Sequence, residues 1–327
     1  MSEQREHFSS RLGFILAAAG SAVGIGNLVG FPGNAAKNGG GAFLLMYAIF
    51  IVVICLPVMI AEMAVGRKTA KNPVGAYGAL TSADSKWRLA GLLSVITPFM
   101  IAVFYTVLTV WIFVYLALGV SGNLAYMAQP AAYGEIINSP YLFLAMIVVA
   151  LMIRFILVSG VKEGIEKAAK VLMPALFVML LLLVAFVLTL DNAVSGLQFY
   201  LIPEIDKITP KVVSGALSQA FFSLSLGMGI LITYGSYISK ETDIVSSAKL
   251  VAVTDTAVAF IAGLMVLPAI FSFNPDVNPE ELSDSGLSLI FEFLPKIFLA
   301  LHFDWSNSGI ISSFDAILSV TSAILYK

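Results

Sequence analysis

The sequence predicts an all-α integral membrane protein, and three observations carry that prediction. The chain of 327 residues is 59% hydrophobic and 12% charged, against about 25% charged in an ordinary soluble domain. Apolar stretches of the roughly 20 residues needed to cross a bilayer recur along its length. Lys and Arg gather in alternate connections between those stretches. The same composition excludes other classes. With 18 Lys+Arg against 20 Asp+Glu there is no basic excess to neutralise a phosphate backbone, so no nucleic-acid partner is expected. The single cysteine, Cys55, lies in an apolar run and reads as a small buried hydrophobe.

Eight spans are expected, with bounds of several residues' latitude: Leu12 to Ala36, Ala42 to Ala61, Leu89 to Val120, Tyr141 to Val158, Val171 to Leu190, Val212 to Tyr237, Leu250 to Phe273 and Gly309 to Tyr326. The fifth, VLMPALFVMLLLLVAFVLTL, is apolar throughout, whereas the first and sixth are interrupted by glycine and the eighth is the most polar. The polar N-terminus, with Arg5, Glu6, His7 and Arg11, lacks the layout of a cleaved signal peptide, so the first span is expected to be retained.

Most of the 18 Lys and Arg residues fall in the N-terminus and in the 2/3, 4/5 and 6/7 connections, which predicts a cytoplasmic N-terminus. The segment Val161 to Lys170 (VKEGIEKAAK) reads as a solvated cytoplasmic helix. The long acidic 7/8 connection, Asn274 to about Ser308, reads as an extracellular lid.

Enzyme chemistry has little to build on. The two histidines, His7 and His302, make no HExxH zinc site and no Ser/His pair, and the glycine clusters are neither a P-loop nor a strand-flanked GxGxxG. The informative feature is instead the pair of glycine-broken spans, GFILAAAGSAVGIGNLVGFPGN and QAFFSLSLGMGILITYGSY. Each glycine costs a helix about 1 kcal/mol relative to alanine, so several together favour an unwound stretch. Unwound backbone at membrane depth survives where it lines a cavity or is buried in protein. Breaks in spans 1 and 6, five apart, are also what an inverted five-plus-five repeat predicts.

At these residues the chain resembles the neurotransmitter:sodium symporters. The resemblance rests on REHFSSRLGFILAAAGSAVGIGN in span 1, KNGGGAFLLMY entering span 2, YTVLTVW in span 3, KEGIEKAAKVLMPALF around span 5 and QAFFSLSLGMG in span 6. It implies the leucine-transporter-type inverted repeat with discontinuous spans 1 and 6, here a first repeat at about 11–190 and an incomplete second at about 212–327 of a single transmembrane domain. It also implies sodium-coupled symport of an amino acid into the cell, with two sodium ions. By position, a first sodium site would use Ala22, Asn27, Ser223 and Asp255 with the substrate carboxylate, and a second would use Gly20, Val23, Leu318, Thr321 and Ser322. Such oxygen-only sets suit a hard cation. The substrate carboxylate would meet the backbone N–H of Ile25 and Gly26 and the hydroxyl of Tyr105, and its ammonium would meet Ala22, Phe222, Ser223 and Ser225. Ile101, Phe222, Met228, Ser322 and Tyr326 would set side-chain selectivity, and the adaptable Met228 suggests a large apolar or aromatic substrate.

Asp255 would supply the negative charge that chloride supplies in chloride-dependent members, near Tyr47, Gln219 and Ser223, so chloride is not expected to be required. Glu62, closing the apolar run of span 2, reads as a structural hydrogen-bond acceptor. Two departures qualify the resemblance. The outer-gate arginine is replaced by Gly30, and the partner of the inner-gate residues Arg5 and Tyr237 would lie beyond Lys327. About eight spans are present where the family has eleven or twelve. The alternative is therefore a truncated relative that does not transport, acting as an amino-acid sensor, an assembly partner or an inert fragment. A lipid bilayer and a small amino acid are the expected partners; association with further copies stays open.

Overall fold

A computed structural model describes residues 8–81, 86–129 and 131–273, together with Pro275, Phe291, Pro295 and Leu299. Among the described residues the architecture is helical, without strands. In chain order the main helices are α1 (Arg11–Ala22), α2 (Gly26–Lys37), α3 (Gly41–Thr69), α4 (Pro73–Leu80), α5 (Trp87–Val120), α6 (Tyr141–Val158), α7 (Val161–Val187), α8 (Ala193–Leu201), α9 (Pro210–Ser223), α10 (Ile230–Gly235) and α11 (Ile244–Phe273).

Helices α3, α5, α6, α7 and α11 are each long and apolar enough to cross a membrane, and α1 with α2 form a sixth candidate bent by 52°. The sixth expected span is also two pieces, α9 and α10, each too short to cross alone. The expected eighth span and the acidic 7/8 connection lie outside the described residues.

Local chemistry explains where the helices start. The Ser10 side chain accepts the Gly13 N–H at 3.0 Å to open α1, and Asn72 accepts the Gly75 N–H at 2.8 Å to open α4. Thr209 and Pro210 open α9 in the same way, with proline where no N–H is needed.

Several helices run past their expected bounds, while α7 ends at Val187 rather than Leu190 and α10 at Gly235 rather than Tyr237. Helix α3 continues to Thr69, α7 begins at Val161 and α11 at Ile244, because hydropathy marks the apolar length while the helix runs on into the polar boundary. The segment Val161 to Lys170 is consequently the first part of α7, not a separate solvated helix. Glu166, within it, is 1% exposed.

Helix α11 is the centre of the packing, touching α1, α2, α3, α7 and α8. Its buried positions run along most of its length, from Ile244 to Ile270. A second close pairing joins α3 to α10: a Cβ on Gly66 would land on the Ile232 carbonyl, and one on Gly235 would meet the Met63 backbone. Small residues at these two points let the backbones touch. Outward faces of α5 and α6, such as Phe99, Met100, Phe143 and Phe155, are exposed and apolar, as a lipid-facing surface requires.

The four Lys/Arg-rich segments meet at one end of the bundle. Arg11 donates to the Ser246 hydroxyl and Arg67 to the Thr242 carbonyl at 2.6 Å, while Lys170 pairs with Glu166 beside Ser9.

Candidate functional site

The two helix breaks face each other. Between α1 and α2 the chain leaves the helix at Val23 (ψ 116°), and between α9 and α10 it passes through Leu224 to Gly229 with positive φ at Ser225 (54°), Gly227 (76°) and Gly229 (68°). Positive φ at Ser225 is uncommon for a residue with a Cβ, and such backbone strain clusters where function requires it.

The second break is held by Glu62 of α3, whose Oε1 accepts the Gly227 N–H at 2.7 Å, while Oε2 is buried without a hydrogen-bond partner. The expected role of Glu62 as an acceptor thus acquires a target. The Gly227 N–H is exposed, so what is at stake is the bond itself, and a hydrogen bond to a charged group contributes about 1.5–3 kcal/mol. Glu62→Ala is expected to weaken sodium-dependent amino-acid binding about tenfold or more, whereas Glu62→Gln, which keeps an acceptor oxygen, stays within about threefold. Equilibrium binding of both variants distinguishes them, and equal losses would remove the acceptor role.

A small cavity lies between the breaks. Its polar side comes from Ser21, Ala22, Gly24, Gly26, Ser223 and Ser225, and its apolar side from Ile101, Phe222, Met228 and Ile230. The Tyr105 hydroxyl reaches in as well, hydrogen-bonded to the Gly26 backbone. Of the expected substrate residues, the structure brings together Ala22, Gly26, Ile101, Tyr105, Phe222, Ser223, Ser225 and Met228. The side chain of Ile25, expected at the site only through its backbone N–H, belongs to the apolar cluster that also holds Val29 and Leu108. Ser322 and Tyr326 lie outside the described residues. Ser21, Gly24 and Ile230 were not anticipated, although each lies in or within a few residues of a glycine break.

Beside the cavity Asn27, Ser223 and Asp255 form a buried polar cluster, with exposures of 0%, 2% and 0%. The Asn27 Nδ2 donates to Asp255 Oδ1 at 2.7 Å and the Ser223 hydroxyl to Asp255 Oδ2 at 2.7 Å. The Asn27 Oδ1 accepts the Gly24 N–H at 3.0 Å, so the side chain also pins the first break. Gln219, buried next to it, donates to the Gly26 carbonyl at 3.1 Å and accepts from Asn34 at 2.9 Å. Among the described residues no three His, Cys, Asp or Glu side chains converge. A cation held here would meet one carboxylate and neutral oxygens, the donor set of a hard monovalent ion rather than of zinc or iron.

Gly20 and Val23 lie in the last turn of α1 and just after it, whereas Leu318, Thr321, Ser322 and the gate residue Arg5 are outside the described residues. Tyr237 packs edge-on against Phe8 at 6.4 Å.

Residues 5–135 and 132–307 match the Sodium:neurotransmitter symporter family. The chain belongs to this family. It is 38% identical over 308 residues to a relative from Bacillus subtilis described as "Uncharacterized sodium-dependent transporter YhdH", covering 93% of this chain and 67% of the relative. A sodium-dependent transporter of Haemophilus influenzae is 33% identical over 342 residues, covering 99% of this chain and 73% of its own length. Among solved structures, that of MhsT in complex with L-phenylalanine aligns with a TM-score of 0.85 and 38% identity, over 99% of this chain and 72% of that one. The two sequence relatives are described as sodium-dependent transporters, and the family is one of membrane symporters, not enzymes.

Proposed function

We propose that this symporter couples sodium entry to uptake of a neutral amino acid with a large apolar or aromatic side chain, by alternating access. The observation that carries the reading is the cavity between the two helix breaks, polar on one side and walled by Ile101, Phe222, Met228 and Ile230 on the other. That division matches a zwitterion with an apolar side chain. The Gly26 backbone and Tyr105 suit the carboxylate, and the carbonyls exposed at the breaks with Ser225 suit the ammonium. The bound phenylalanine in the similar MhsT supports a substrate of this class.

The sodium reading rests on the Asn27, Ser223 and Asp255 cluster with the Ala22 carbonyl. Turned over, the Asn27 amide would set Oδ1 rather than Nδ2 within 2.7 Å of the Asp255 carboxylate, giving up the bond that Oδ1 accepts from the Gly24 N–H. Two oxygens so close repel unless a cation lies between them, so one side chain serves as a hydrogen-bond bridge or as an ion ligand. Gly20 and Val23, with Leu318, Thr321 and Ser322, are proposed to hold a second sodium. Because the substrate carboxylate and the first ion would share a site, each raises the affinity of the other by the same factor. Asp255 brings its own charge, so uptake is proposed to be independent of chloride.

The end where Arg11, Arg67, Lys162 and Lys170 lie is proposed to face the cytoplasm. On that orientation a membrane potential of about 100 mV adds about 2.3 kcal/mol per sodium charge carried inward. The test is equilibrium binding of a labelled panel including phenylalanine, tryptophan, leucine, proline and glycine, in sodium and in potassium buffer. Saturable, sodium-dependent binding that favours the large apolar members is the expected result. A preference for glycine or proline would overturn the substrate class, and equal binding in both salts would overturn the coupling.

A further inference from the structure

Outside the cavity and its ion cluster, the described residues contain one buried acid that the transport reading leaves unused. Glu166 is 1% exposed although it sits in the charged segment KEGIEK. Its carboxylate does not reach the cavity; it is spent on the first residues of the chain. Oε2 accepts the Ser9 backbone N–H at 2.8 Å, Oε1 accepts the Ser9 hydroxyl, and Lys170 one turn on donates to Oε1 at 2.6 Å.

The fit is built on both sides. A Cβ at Gly13, one turn into α1, would fall on the Glu166 carboxylate, so α1 can lie this close only with glycine there. Ser10 caps the helix and leaves Ser9, the residue before it, to the acid. A carboxylate at this position also complements the positive end of α1.

On its other side the same end of α1 rests on α10. Phe8 stacks on Tyr234 at 6.1 Å and meets Tyr237 edge-on, and the Phe8 N–H reaches the Tyr237 carbonyl at 3.4 Å. Tyr234 in turn is hydrogen-bonded to Ser21, which lines the cavity. The start of α1 is thus a plug between the cavity and the Lys/Arg-rich end of the bundle. Its aromatic contacts are non-directional, whereas the Glu166 bonds are directional and charge-assisted.

We propose that Glu166 is a positioning residue that latches the first turn of α1 to α7, and that its bonds to Ser9 set how readily this end swings away to open the inner route. The proposal rests on the transport reading for its purpose. Its geometry does not depend on which solute is carried. Glu166 touches neither solute nor ion; it acts through the position of α1.

The test follows accessibility below the cavity. In a background with Cys55→Ala, Ser21→Cys supplies a single thiol, labelled from the Lys/Arg-rich side of inside-out membrane vesicles with a membrane-impermeant maleimide. Ser9→Pro removes both donors to Glu166 at an exposed position, so it leaves the core intact. It is expected to speed labelling about tenfold, Ser9→Ala by a smaller factor, and Glu166→Ala at least as much as Ser9→Pro. Glu166→Gln keeps an acceptor for the Ser9 N–H and is expected to return the rate to within about threefold of the parent. If Glu166→Ala fails to fold, the two Ser9 variants still decide the matter. Labelling rates equal to the parent in both Ser9 variants would overturn the latch. Sodium-dependent amino-acid binding, measured on vesicles holding the unsubstituted chain with Ser21 and Cys55 in place, separates the two ideas. Faster labelling of the latch variants without any such binding by the unsubstituted chain supports the latch and removes the transport reading. Binding with unchanged labelling removes the latch alone.

Discussion

Asp255→Asn is expected to abolish sodium-dependent amino-acid binding at ordinary sodium concentrations while leaving a folded, monodisperse protein. The carboxylate is 0% exposed in the middle of α11 and accepts hydrogen bonds from neutral groups, Asn27 and Ser223 among them. Hydrogen bonds from neutral groups do not compensate a buried charge as an ion would. A cation at this point is thus complementary to something already present. Removing one partner of a buried ion pair costs about 3–5 kcal/mol, which corresponds to a loss in apparent sodium affinity of about a hundred- to several-thousandfold. The asparagine keeps the size and can still accept from Ser223, so the fold survives. Titrating sodium against substrate binding in both proteins measures the effect. The companion expectation is that replacing chloride with gluconate leaves the parent unchanged. A clear loss in gluconate, or an Asp255→Asn variant with parental sodium affinity, would show that Asp255 does not provide the charge.

The second large effect is steric. A Cβ on Gly26 would lie 2.9 Å from the Phe222 ring and 3.5 Å from the Tyr105 hydroxyl. Both are groups proposed to enclose the substrate, so the space that Gly26 leaves open is part of the cavity itself. Gly26→Val is expected to reduce affinity for every member of the amino-acid panel about a hundredfold or more, through clashes of a kind that cost about 1–3 kcal/mol each. The outcome distinguishes a cavity residue from a helix-packing residue. If Gly26 served only close helix packing, the variant would lose thermal stability and affinity together. A binding-site residue loses affinity with little change in the unfolding temperature. Parental affinity in Gly26→Val would place the substrate elsewhere.

Much of this protein was legible from local chemistry. Membrane insertion follows from apolar length, since backbone polar groups in hydrocarbon must be satisfied within a helix. Tyr141 to Val158 was therefore readable to the residue. The two breaks were legible because clustered glycine destabilises a helix regardless of context. Their meeting, by contrast, was implied only by resemblance. No local property of Asn27, Ser223 and Asp255, separated by 196 and 228 residues along the chain, states that they touch.

The misreadings have one physical source. Hydropathy averages over a window, so it placed the start of the fifth span at Val171 and left Glu166 in solvent. The acid is buried because the Ser9 N–H, the Ser9 hydroxyl and Lys170 satisfy it and Gly13 makes room. Composition and periodicity determined the membrane class, most helix positions and the location of both breaks, because these depend on a residue and its near neighbours. Tertiary structure alone decided which oxygens face Asp255, what Glu62 and Glu166 hold, and which side chains wall the cavity, because each depends on contacts between helices far apart in the chain.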